Sequence, residues 1–241
     1  LNDRKTYGAD LICLPECVAI FSDNKEKINS YLLNWKSKFF ELISEFAKKR
    51  KSFILIGSAP HLKKNFKFLN RSFLVNPKGL ITSHYDKINL FDVELNKKEK
   101  YFESDNYDCG KRTSVTSLPW GKLGMTICYD LRFPNLYKKL AKKGADFFSI
   151  PAAFTYTTGI SHWHALVRAR AIENGCYVFA PAQCGKHDNG RKTYGNSMIV
   201  DPWGKVLTKA GHYMCIISYK IDLALISRSR KMIPAMTEFK L

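Results

Sequence analysis

Short apolar runs of strand length recur along almost the whole chain, and this recurrence constrains the fold more than any other feature. DLICLP (10–15), FILIGS (53–58), SFLVN (72–76), SVTSL (114–118), KLGMTIC (122–128), DFFSIP (146–151) and CYVFAPA (176–182) all read as strands. NPKG turns SFLVN back on LITSHY, and DPWG joins GNSMIVD to KVLT, each with proline and glycine where tight turns favour them. YMCIISYKI (213–221) reads as a last strand. Three helical stretches separate these runs. From Ser30 to Lys51 the apolar positions Leu32, Leu33, Phe39, Phe40, Ile43, Phe46 and Ala47 fall near helical spacing, and basic residues close the segment as a helix C-terminus prefers. A second helix runs from Pro134 to about Gly144, and a third from near Ser161 through WHALVRARAIEN to a stop at Gly175. Strands partly paired in hairpins and partly separated by helices predict sheets with helices outside them. No repeat, linker or low-complexity block divides the 241 residues, so a single domain, 1–241, is expected.

Composition removes several function classes. A hydrophobic share of 45% excludes general disorder. No apolar run approaches the roughly 18 residues of a membrane span, and LNDRKTYGAD has no signal-peptide apolar region. An odd number of cysteines, seven, without secretory context predicts reduced thiols and a cytoplasmic protein. Cys13 with Cys17, and Cys184 with His187, complete no zinc-ligand spacing, so no metal is expected. The 39 basic residues exceed the 21 acidic ones, giving +18. The lysines are scattered in short groups at helix ends and faces, with no nucleic-acid signature beside them. A solvated basic surface is expected, with neither a nucleic-acid nor a membrane partner.

Three residues stand at strand ends rather than on helix faces. Cys128 closes KLGMTIC ahead of DLRFP, where a strand, a turn and a helix would present its sulfur beside backbone N–H groups. Glu16 follows LICLP, where an apolar sheet could raise its pKa and make it a general base. Lys87 is the one lysine of HYDKINLFD. Singly, each has an ordinary explanation: a small buried hydrophobe, a loop charge, a surface lysine. A Cys–His mechanism has little footing, because His162 and His164 are two apart on a helix and face different ways.

The motifs LPE, YDKINLFDVE, FESDNYDCG, ICYDLRFP, PAAFTYTTGISHWHALVRARAIENGCYV, AQCGKH and YGNSMIVDPWGKV, in this order, resemble the nitrilase superfamily of carbon–nitrogen hydrolases over nearly the whole chain. The resemblance implies an α/β (α+β) fold, the four-layer αββα sandwich, with the family's first strand, which precedes GADL, missing here. It implies a Glu–Lys–Cys set. Cys128 would attack an amide as a thiolate favoured by Lys87. Lys87 and the backbone N–H of Tyr129 would hold the oxyanion, and Glu16 would move the protons. Glu103 would orient Lys87, while Phe154, Thr155 and Thr158 would contact the substrate. Asp130 and Arg132 would fix the turn. No cofactor is required. Association through the helical layers would give a homodimer or higher homo-oligomer.

The C-terminal motifs look most like the nitrilase-homologue branch whose members hydrolyse deaminated glutathione. The implied reaction is cleavage of a non-peptide C–N amide bond of a small ω-amide, through a cysteine thioester, with release of ammonia. The alternatives are an ω-amidase acting on 2-oxoglutaramate or 2-oxosuccinamate, and a non-catalytic protein that binds an anionic partner. Three departures from the family pattern stand out: His164 where relatives often carry glutamate, Cys109 near the expected pocket, and the tail KMIPAMTEFKL in place of a basic ending.

Overall fold

The computed structural model describes residues 8–63, 67–97 and 99–235, so the last six residues of the KMIPAMTEFKL tail lie outside it. The chain opens with β1 (Leu11–Cys13), α1 (Lys25–Asn34), α2 (Lys36–Arg50), β2 (Phe53–Leu62), β3 (Phe68–Val75) and β4 (Ile81–Asp86). These strands form one sheet in the order β1-β2-β3-β4, with β1 parallel to β2 and the other pairs antiparallel. The single helix expected over Ser30–Lys51 is two helices. Asn24 starts α1 earlier by accepting from the Lys27 N–H at 2.9 Å, and Trp35, at φ −124° and ψ −19°, breaks the run. The KEK opening of α1 carries no apolar period, so its start was invisible to that test.

Next come β5 (Asp92–Glu94), β6 (Lys100–Phe102), β7 (Ser114–Leu118), β8 (Gly121–Met125), α3 (Pro134–Lys142), β9 (Phe147–Ser149), the single turn α4 (Tyr156–Thr158) and α5 (His164–Asn174). β10 (Tyr177–Ala180), β11 (Cys184–Lys186), β12 (Lys192–Tyr194), β13 (Met198–Val200), β14 (Val206–Lys209) and α6 (Ala224–Met232) complete the described chain. The second sheet has the order β14-β13-β10-β9-β8-β7, while β5–β6 and β11–β12 are separate hairpins.

Strand periodicity sorts the core into layers. Ile54, Ile56, Phe73 and Val75 face α2, where they meet Ile43, Ala47, Phe39 and Phe40. Their neighbours Leu55, Leu74 and Tyr85 join Leu123, Met125 and Phe147 between the sheets. Leu136, Tyr137 and Leu140 of α3 and Val167 and Ala171 of α5 extend that core to the far side of the second sheet. The layers are therefore helix, sheet, sheet, helix, as the αββα expectation has it.

One expectation needs correction, and one helix was not expected. Residues 213–221 form no strand, because Tyr213, Met214 and Tyr219 find no core and remain exposed, and only Ile216, Ile217 and Ile221 are partly covered. Helix α6 went unread because its serines and basic residues leave few apolar positions to show a period.

The topology brings strand ends together. The chain leaves β1 towards Glu16, β4 at Lys87, β8 towards Cys128, β9 towards Ala153 and β10 towards Gln183. Two glycines permit this convergence. A Cβ at Gly57 would lie 2.1 Å from the Leu14 carbonyl oxygen, where the loop carrying Glu16 crosses β2. A Cβ at Gly110 would lie 2.1 Å from the Asp86 oxygen, and the Gly110 N–H donates to the Lys87 carbonyl at 2.7 Å.

Candidate active site

Cys128 opens a tight turn, Cys128–Arg132, at φ +46°. A side chain in this left-handed region costs about 1–2 kcal/mol, so the surroundings must hold it there. They do. The Cys128 N–H donates to the Pro151 carbonyl at 2.8 Å. Buried Asp130 braces the turn from below: one oxygen accepts from the Ile127 N–H (2.9 Å) and the Tyr85 hydroxyl (2.8 Å). The other accepts from the Asn89 N–H (3.0 Å) and side-chain amide (2.8 Å). Asp130 thus fixes the turn, and ties it to the segment that carries Lys87. Arg132 lies over the rings of Tyr129 and Phe154.

Around the thiol, three charges form a chain. Lys87 Nζ donates to Glu16 Oε1 at 3.0 Å and to Glu103 Oε2 at 2.8 Å, with the Lys87 and Glu16 side chains buried and Glu103 partly so. Glu16 Oε2 accepts from the Ala153 N–H at 2.7 Å, and the Cys128 thiol lies near enough to help lower the Glu16 carboxyl. Glu103 Oε2 also accepts from the Phe91 N–H at 2.8 Å. Burial alone would raise Glu16, but the charge and hydrogen bond of Lys87 outweigh it and hold the carboxyl below its ordinary value. Burial would likewise lower Lys87, but Glu103 and Glu16 together keep it well above the usual lysine value.

Two expectations about ionisation are reversed. An apolar sheet does not raise Glu16, because the lysine beside it prevails. Cys128 is not a resting thiolate: burial and then the Glu16 charge push its thiol well up, and the opposing pull of Lys87 is smaller. The sulfur is a thiol beside the Glu16 carboxylate, and would serve as a nucleophile only once a base removed its proton.

Glu16, Lys87, Cys128, Glu103, Tyr129, Phe154, Thr155 and Thr158 all line one cavity of about 620 Å³. Thr155 and Thr158 share a hydroxyl–hydroxyl contact of 2.7 Å in its wall. Among the described residues no histidine lines it, which leaves a Cys–His pair without a member. His164 packs edge-on against Tyr194 instead. Cys109 is exposed and outside the lining; the second thiol of the cavity is Cys17, at φ +55°. Proximity of Cys109 to Glu103 in sequence did not translate into proximity to the pocket.

Sequence reasoning missed Asn70. Its side-chain amide donates to Glu16 Oε1 at 3.0 Å and to Glu103 Oε1 at 2.9 Å, so it spans both carboxylates that hold Lys87. An asparagine inside an apolar strand, as in FLNRSF, is disfavoured without a partner, and that was the available signal. Hydrogen bonds to charged groups contribute about 1.5–3 kcal/mol. Asn70→Ala should therefore lower kcat roughly 10–100-fold with KM changed less than about threefold. Steady-state kinetics with a thermal melt checks this; an unchanged kcat would show that Asn70 only fills space.

A buried thiol with a carboxylate and an ammonium beside it has the parts of covalent amide hydrolysis. Comparison with known proteins agrees. The carbon–nitrogen hydrolase family model matches residues 3–231. The chain is 36% identical over 232 residues to the deaminated glutathione amidase of Yersinia enterocolitica, covering 95% of this chain and 81% of that one. It is 39% identical over 242 residues to the deaminated glutathione amidase of Dictyostelium discoideum, covering 96% and 83%. Among solved structures, Nit3 of Saccharomyces cerevisiae, a member of branch 10 of the nitrilase superfamily, superposes with a TM-score of 0.84 at 30% identity, covering 96% of this chain and 83% of that one. The NitFhit protein of C. elegans gives 0.87 at 34%, covering 96% of this chain, which spans 57% of that longer protein. The chain belongs to the carbon–nitrogen hydrolase family and is a cysteine-dependent amidase.

Proposed function

We propose that this amidase hydrolyses deaminated glutathione, with Cys128 as nucleophile, Glu16 as the proton carrier and Lys87 as the electrostatic partner of the oxyanion. The observation that carries the reading is the Glu16 carboxylate, which accepts from Lys87 and stands beside the Cys128 thiol on the cavity wall. As Cys128 Sγ attacks the amide carbon, its proton passes to Glu16. The Lys87 ammonium and the Tyr129 N–H, near the start of the turn where N–H groups lack intrahelical partners, receive the oxyanion. Collapse expels the amine, which takes the proton from Glu16 and leaves a thioester. Glu16 then deprotonates water to hydrolyse it. Glu103 and Asn70 keep Lys87 and Glu16 in register.

The leaving group follows from the substrate. In glutathione the side-chain carboxyl of glutamate is amide-linked to cysteinylglycine, so its deaminated form releases the amine of cysteinylglycine. Ammonia is the product only for a terminal carboxamide such as 2-oxoglutaramate. The substrate names of the Yersinia and Dictyostelium relatives support the first. A purely binding role is disfavoured, because a buried lysine between two carboxylates is costly to keep for packing alone. The test compares kcat/KM for cysteinylglycine release from deaminated glutathione with ammonia release from 2-oxoglutaramate and 2-oxosuccinamate. The reading expects the first to exceed the others at least about tenfold, a difference of 1.4 kcal/mol; a reversed order makes the chain an ω-amidase.

All seven cysteines are free, which supports a reducing, cytoplasmic setting. Among the described residues no helix is long and apolar enough to cross a membrane. Exposed Ile172, Trp203, Leu223 and Ile233 on and around α5 and α6 support a homodimer or larger assembly through a helical layer. A monomeric mass by light scattering would exclude it.

A further inference from the structure

We infer that Arg191, at the mouth of the cavity, is a specificity-determining residue that binds a carboxylate of the substrate, several atoms from the scissile bond. The inference deepens the proposed function and rests on it for the identity of the substrates.

Arg191 stands in the β11–β12 hairpin, just before β12, and lines the same cavity as Cys128. Its guanidinium carbon lies 4.5 Å from the centre of the Tyr101 ring and 5.6 Å from that of Phe21. Tyr101 comes from β6 and Phe21 from the loop after β1, so two separate segments of the chain converge on one side chain. The arrangement is braced from behind: His187 packs edge-on against Phe21 at 4.7 Å and shares a 2.7 Å contact with the Thr193 hydroxyl. An arginine fixed between two rings has already lost much of its rotamer freedom, and its planar fork suits a carboxylate.

The other cations of the cavity are placed differently. Lys87 is held by Glu16 and Glu103, and Lys100 is on the exposed rim, 45% exposed, where it pairs with the likewise exposed Glu94. Lys192 lies 3.7 Å over the ring of Tyr156. Arg191 meets Asp23 at 3.0 Å, but that partner is 54% exposed, and an exposed pair of this kind contributes little. A substrate carboxylate entering the less solvated mouth competes with Asp23 on favourable terms. Of the nearby acids, Glu99 accepts hydroxyl hydrogen bonds from Thr157 (2.8 Å) and Tyr101 (3.3 Å), which turns it towards the rim instead.

Two carboxylates could supply this chemistry: the 2-oxo acid at the acyl end, shared by deaminated glutathione and 2-oxoglutaramate, and the glycine terminus, present in deaminated glutathione alone. Losing one charge-assisted carboxylate contact corresponds to about 10–100-fold. Arg191→Gln should therefore raise KM by about that factor with kcat changed less than about threefold, and Arg191→Lys should give an intermediate value. The ratio of kcat/KM for the acid substrate to that for valeramide, a neutral amide, should fall by the same factor. A rise in KM for both acid substrates assigns the contact to the 2-oxo acid; a rise for deaminated glutathione alone assigns it to the glycine terminus. Unchanged KM for both overturns the assignment. Binding of 2-oxoglutarate and of alanylglycine by calorimetry, wild type against Arg191→Gln, decides the same question without turnover. If the wild type hydrolyses neither acid amide, the substrate reading fails. Arg191 is then judged by calorimetry alone: binding of either ligand weakened in the variant supports it, and equal or absent binding overturns it.

Discussion

Lys87→Met should abolish measurable turnover and also destabilise the fold by about 3–5 kcal/mol, the usual consequence of removing one partner from a buried ion pair. The methionine fills the volume but leaves Glu16, 4% exposed, facing the core without its counter-charge. The pH dependence gives this prediction its signature. In the wild type Glu16 is held below its ordinary 4.5, so its contribution is present above that pH and lost as pH falls through the lowered value. Lys87 is held above 10.5, so its contribution is present below that pH and lost as pH rises through the raised value. Without the lysine, burial raises Glu16, and folding then favours its protonated form. The variant should therefore lose stability as pH rises above about 4.5, where the wild type's Glu16 contribution is already complete and stays level. Thermal melts of both proteins between pH 4 and 8 read the difference. Parallel curves would mean that the lysine charge is not what stabilises the carboxylate.

Cys128→Ala should act on one side only. Turnover should fall by about four orders of magnitude or more, the scale seen when a covalent nucleophile is removed. Stability should change by less than about 1 kcal/mol, because alanine keeps the backbone contacts and loses a thiol that burial and Glu16 already disfavour as an anion. The φ of +46° remains a cost in both proteins, which argues that the turn is kept for the sulfur it presents. Together the two variants separate chemistry from folding, since Lys87→Met impairs both and Cys128→Ala impairs turnover alone. Marked unfolding of Cys128→Ala would make this cysteine a packing residue after all.

The parts of the fold that were legible in the sequence were those whose side chains alternate against a core. The apolar runs that became β2, β3, β8 and β10 announced themselves because both faces of each sheet are covered. The 213–221 run has the same composition but no sheet edge receives it, and composition carries no information about partners. The start of α1 depended on the Asn24 cap, which is a polar and local device, and the break at Trp35 is a change of backbone angles without a side-chain cap. Within the site, Glu16, Lys87 and Cys128 were recognisable through ordered motifs, although nothing local distinguished any of them. Asn70 and Arg191 were not, because their roles arise from contacts with residues at least 33 and 90 positions away respectively: Glu103 and Glu16 for the first, Tyr101, Phe21 and Asp23 for the second. The protonation state of Cys128 was misread for a related reason. A lysine nearby suggests a thiolate, but the outcome depends on how fully the thiol is buried and on a carboxylate whose charge outweighs the lysine's.

The central claim is that the amide carbonyl is transferred to Cys128. Peptide mass mapping after acid quench of the enzyme turning over deaminated glutathione tests it most directly. The account predicts a 2-oxoglutaryl thioester on the peptide that contains Cys128, absent from Cys128→Ala, which should also be inactive. An acyl adduct on another cysteine, or turnover persisting in Cys128→Ala, would contradict it.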